Sequence, residues 1–158
     1  MIIITELIVL VLSLLFTGKR VKNVILINWE SILMGILFGV VYVIIIFAVK
    51  QTELGSVVLE KFVKGIGLQF AILYTIYPFV IAVSEEFIFR YFIPSHSGVL
   101  IASLLFAALH WRPNFFSIPL FVLVFIFGLS QAWLFKKTRT IWAPVIAHLF
   151  VTYFLLLS

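Results

Sequence analysis

Two glutamates and an arginine lie in a stretch apolar enough to cross a membrane: Glu85-Glu86-Phe87-Ile88-Phe89-Arg90, inside the run 65–92. No other feature limits the fold as sharply. An ionisable side chain at the bilayer centre costs about 2.5–3.5 kcal/mol on insertion scales, and more by simulation. Two histidines, His110 and His148, are set in apolar stretches of their own. Four groups able to take up or release protons, carried by one lipid-soluble chain, predict a reaction centre within the membrane.

The chain is 65% hydrophobic and 11% charged, against roughly 45–50% apolar and about 25% charged in soluble domains. That composition predicts an all-α, polytopic integral membrane bundle. Its 158 residues suit one compact unit, read as a single domain 1–158 with its motif-bearing core at about 65–157. Without cysteine there is neither a disulfide framework nor a thiolate metal site. The net charge of +5 falls largely in loops, which suits anionic lipid surfaces and not nucleic acid.

A span needs about 20 apolar residues, range roughly 17–25. Helices are expected over 2–16, 31–49, 65–92, 99–111, 115–135 and 141–157. Pro94-Ser95-His96-Ser97-Gly98 reads as a turn. Basic clusters follow the first helix (Lys19, Arg20, Lys22) and the fifth (Lys136, Lys137, Arg139), four crossings apart and so on one side. The positive-inside rule makes that side cytoplasmic. Residues 51–64 then face out, as a short interfacial helix. Glu85, Glu86 and His148 come out at matching depths, about two turns, roughly 10 Å, from the cytoplasmic end. His110 falls near the far end of its helix and meets them only if that helix is strongly tilted or enters partway.

Glu86 and Arg90 are four residues apart with the acid first, the better order for a helical ion pair. Glu85 points about 100° away and lacks such a partner. A desolvated carboxylate of that kind can serve as general base for water. A buried network that only fixes helix packing accounts for Glu86 and Arg90 equally well, but leaves Glu85 unexplained. His110 and His148, each taken alone, are equally well explained as hydrogen-bonded packing residues. A cation or proton conduit would call for polar groups on several facing helices, and the second and fifth helices offer almost none. Gly35-Ile36-Leu37-Phe38-Gly39 places two small residues one turn apart, a helix-packing motif.

The ordered set Glu-Glu-x-x-x-Arg at 85–90, Phe-x-x-x-His at 106–110 and a later His at 148, each on its own apolar helix, resembles the CAAX protease and bacteriocin-processing family. That family of intramembrane endopeptidases includes the type II CAAX prenyl endopeptidases and the bacterial Abi proteins. The resemblance covers about 77–153, including Gly128-Leu129 and Ile141-Trp142-Ala143-Pro144. It implies that Glu85 activates water with help from His110, that Glu86 orients the site with Arg90, and that His148 helps hold the oxyanion. An asparagine usually follows the third-motif histidine by four residues; here that position is Thr152, a shorter hydrogen-bond donor. About six helices are expected where the family often has more, so the substrate vestibule is either incomplete or supplied by an oligomer, with a second copy or a partner protein as the expected partner.

The expected activity is intramembrane hydrolysis of a peptide bond near the cytoplasmic face of a bacterial cell membrane. The catalytic residues would be Glu85, Glu86, Arg90, His110, His148 and Thr152. The substrate would be a membrane-embedded or membrane-anchored peptide, and no cofactor is expected. Zinc at Glu85, His110 and His148 is the alternative. A non-catalytic scaffold or bacteriocin self-immunity protein of the same fold is the competing function.

Overall fold

The computed structural model describes residues 24–52, 55–56, 76–110 and 118–157, and among these it is all-helical, with no strand. The first expected helix (2–16), the basic cluster at 19–22, most of 51–64, the start of the third expected helix and residues 111–117 lie outside the described residues.

Helix α1 spans Trp29–Lys50. Asn28 and Ser31 start it with a reciprocal cap: the Ser31 N–H donates to Asn28 Oδ1 (2.7 Å) and the Asn28 N–H to Ser31 Oγ (3.3 Å). Its buried residues, Ser31, Gly35, Gly39, Tyr42 and Ile46, recur every three or four positions and form one stripe. Leu33, Leu37, Ile44 and Phe47 on the other faces are exposed. A helix apolar all round and covered on one stripe only is suited to lipid. Both α1 and α5 (Ile118–Thr138) are long and apolar enough to cross a membrane.

Helix α2 (Ile76–Glu86) runs directly into a π-helical turn, Phe87–Phe92, closed by the Ile93 N–H on the Ile88 carbonyl (2.8 Å). One helical turn, α3 (Pro94–Ser97), follows. Gly98 then turns the chain with φ 85°, a conformation that favours glycine. Helix α4 (Val99–Leu109) ends with His110 as its C-cap. Arg139, in the left-handed region at φ 60°, ends α5, its N–H on the Phe135 carbonyl (2.8 Å). The reversal is short, and α6 (Trp142–Leu157) returns alongside.

Helix α6 is the hub, in contact with α1, α2 and α5, while α4 packs on α5. The segment before α1 straps the start of α6: the Ile141 N–H donates to the Val24 carbonyl (3.0 Å) and the Trp142 indole to the Ile25 carbonyl (2.5 Å).

Three expectations need correction. The described part of the 65–92 segment is not one uniform helix; it changes to π geometry immediately after Glu86. The stretch 94–98 is a helical turn plus a glycine, because proline at the first helical position has the required φ and no N–H to satisfy. Helix α5 continues to Thr138, three residues beyond the expected end, since Lys136 and Lys137 suit the negative end of the helix dipole.

Candidate active site

The centre is built from three side chains on two helices. Glu86 and Arg90 lie one turn apart where α2 passes into the π turn, and α6 brings His148 to them. Glu86 is fully buried and Arg90 is 2% exposed. The Arg90 Nε–H donates to Glu86 Oε2 (2.7 Å) and its Nη1 to the Phe89 carbonyl (3.4 Å). The guanidinium also lies 4.7 Å from the centroid of the Phe106 ring, a cation–π contact. His148 Nδ1 is 2.8 Å from Glu86 Oε1. A carboxylate only accepts, so that nitrogen carries the proton and donates. The Nε2 of His148 is left facing elsewhere. Breaking a buried pair of this kind costs about 3–5 kcal/mol, because the surviving charge has no water to turn to.

Glu85 is held differently. Its Oε2 lies 3.8 Å from His148 Nε2, too far for a direct hydrogen bond. That oxygen is buried and has no hydrogen-bond partner, although the side chain as a whole is 19% exposed. A gap of this size is one that a bridging water, or one oxygen of another molecule, could span in place of a direct bond.

His110 is one aromatic ring away. Its Nδ1–H donates to the Phe106 carbonyl (2.8 Å), and its ring lies tilted against Phe106 at 4.5 Å between centroids. The Phe106 ring also meets the His148 ring edge-on at 6.2 Å. The backbone bond fixes the His110 tautomer: in the neutral ring, Nε2 has a free lone pair. Thr152 is half-buried, one turn beyond His148, and forms no hydrogen bond with the cluster. The structure therefore joins Glu85, Glu86, Arg90 and His148 directly, His110 through Phe106, and leaves Thr152 at the margin.

Zinc takes at least three protein ligands. Glu85 and His148 Nε2 make a two-donor pair, and among the described residues no three such side chains gather as ligands.

Sequence reasoning passed over Gln131. The side chain is wholly buried in α5, and neither its Oε1 nor its Nε2 has a hydrogen-bond partner. The signal was there: an amide inside an apolar span is unusual for the same reason as a carboxylate. No motif included it.

A lipid-suited helical bundle with a buried carboxylate pair, an arginine and a histidine on converging helices defines a membrane-embedded acid–base site. The model of the type II CAAX prenyl endopeptidase Rce1-like family matches residues 67–154, over half of the chain, and the chain belongs to that family. It is a membrane protein of a CAAX-protease type of enzyme family, and all of the candidate residues fall within the matched stretch. No curated protein and no solved structure matches the chain.

Proposed function

We propose that the chain is an intramembrane endopeptidase that cleaves a membrane-anchored peptide near the cytoplasmic face of a bacterial membrane, using water activated by Glu85. Its bundle has about six helices. The observation that carries this reading is the buried, unpartnered Oε2 of Glu85, 3.8 Å from His148 Nε2. Glu86 and Arg90 neutralise each other, so Glu85 is the carboxylate left for chemistry.

In the first step Glu85 takes a proton from water as the water oxygen bonds to the peptide carbonyl carbon. His110 supports the water through its Nε2 lone pair, provided substrate draws the two sides together. The carbonyl oxygen becomes an oxyanion. His148 can donate to it only as the imidazolium, since Glu86 already holds the Nδ1 proton. Thr152 supplies a weaker, shorter donor on the same helix face. Glu85 then returns its proton to the leaving nitrogen as the C–N bond breaks. Arg90 fixes Glu86, and Glu86 fixes the His148 ring. No step passes through a metal.

The test is cleavage of a membrane-anchored peptide by purified protein. Glu85→Gln should lower the rate by about 10²–10⁴-fold, the usual contribution of a general base, with an unchanged thermal midpoint. A variant as fast as the parent would sink the assignment. The second reading, a scaffold or bacteriocin self-immunity protein, is favoured by the Glu86–Arg90–His148 network, whose carboxylate pairs with both partners without substrate. It takes over if neither parent nor Thr152→Asn cleaves anything while Glu85→Gln loses a cellular phenotype.

A further inference from the structure

Among the described residues, the polar group least accounted for is the Gln131 carboxamide. Its residue has 0% exposure, and both of its polar atoms are buried without partners. Buried polar groups are normally paired with protein or ordered water. An amide is seldom retained in such a place without a partner, because desolvating it is unfavourable.

Its place in the fold is bracketed by two contacts on the same face of α5. Four residues before it, Phe127 meets the His148 ring edge-on at 5.6 Å. Three residues after it, Leu134 packs with Ala143 and Ala147 of α6. Because α5 and α6 run antiparallel, Gln131 faces the stretch of α6 just before His148. Neighbouring positions on these faces are Gly128, Ala132, Ala143 and Ala147, none of which has a side chain able to form a hydrogen bond; Ser103 of α4 packs beside Gly128, but its buried Oγ is likewise unpartnered and does not reach the amide. Tyr42 reaches α5 but is engaged by Ser130, to which its hydroxyl donates at 2.6 Å.

The missing partner has a definable chemistry. A charged ligand would call for an opposite charge, and the carboxamide is neutral. Donor and acceptor are both vacant, so the partner must offer an acceptor and a donor side by side. A peptide main chain does so, since one residue of an extended strand presents its N–H and its C=O to the same side. Gln131 lies within about one helical turn of the level of His148, through Phe127 and the stretch of α6 before it.

We propose that Gln131 docks the main chain of the substrate peptide, its Nε2–H donating to one peptide carbonyl and its Oε1 accepting from a nearby N–H. The inference rests on the endopeptidase reading and adds to it a residue that holds substrate without touching the reacting bond.

The test measures binding and cleavage separately. The probe is a fluorescent farnesylated peptide with a CAAX terminus, added to the protein in nanodiscs of phosphatidylethanolamine and phosphatidylglycerol. Gln131→Met keeps length and volume but removes both polar atoms. Its affinity for the probe should fall by about tenfold, as for one or two neutral hydrogen bonds, with KM raised in proportion. Its thermal midpoint should equal or exceed the parent's, since an unpaired buried amide has been removed. Gln131→Asn, which keeps the amide on a shorter stem, should recover part of the affinity. Binding that depends on Gln131 in a protein that does not cleave supports the docking role and removes the hydrolytic reading. Cleavage with unchanged affinity and KM in Gln131→Met overturns the docking role alone, and an internal water then pairs with the amide. Failure of Gln131→Met to fold, or of the parent to bind the probe, also overturns it.

Discussion

Helix α6 has two faces that solve opposite problems. On the face toward α1 the packing is tight and dry. A Cβ on Gly39 would come within 2.6 Å of Phe150 Cβ, and one on Gly35 within 2.8 Å of the Ala143 carbonyl oxygen. The other face carries His148 to Glu86, which also pairs with Arg90 Nε, while Glu85 Oε2, Arg90 Nη2 and, on α5, both polar atoms of Gln131 are left without partners. Contact with α1 immobilises the helix; the opposite side keeps buried polar atoms in reserve. Close packing in this bundle thus serves to hold an incompletely paired region in one geometry, ready for something to be placed there.

Three substitutions test that division. Arg90→Ala should have the largest effect on folding, about 3–5 kcal/mol, because it strands the buried Glu86 charge. Thermal unfolding in detergent reads this, and an unchanged midpoint would mean that the pair is not buried. Gly39→Val should destabilise by about 1–3 kcal/mol through overpacking against Phe150. The folded fraction that remains should still cleave at close to the parental rate. If its rate per folded molecule drops as far as that of Glu85→Gln, the two faces are not separable. Thr152→Asn is the smallest change: it should leave the midpoint within about 0.5 kcal/mol and keep or raise the cleavage rate, by offering a longer donor near His148. A clear loss of rate would remove position 152 from the site.

The acid–arginine–histidine core was readable because its logic is local. Glu86 and Arg90 pair by helical spacing alone, and counting turns put His148 level with Glu86, which it meets. What stayed hidden depends on packing. No period in the sequence distinguishes α from π geometry after Glu86, since every residue from Phe87 to Phe92 except Arg90 is aromatic or aliphatic. The displacement of His110 was anticipated as a tension over depth. Its cause, a Phe106 ring touching both imidazoles, is set by how α4 meets α5 and α6. Gln131 was overlooked because a neutral amide draws less notice than a charge, although lipid penalises both. The capping pair Asn28 and Ser31 obeys a known local rule, but the expected start at Ser31 fell two residues inside the helix.

The π turn places an unusual demand on the gene. Its wide winding takes up more residues per revolution than the α-helix before it, so its geometry is equivalent to a lengthened α-helical stretch. Point changes within Phe87–Phe92 alter one contact each. Loss of a single codon would rewind the segment and turn Arg90 and the helical turn after it out of register with α5 and α6. In this stretch the number of residues is therefore inherited information, as strictly kept as the identity of Arg90.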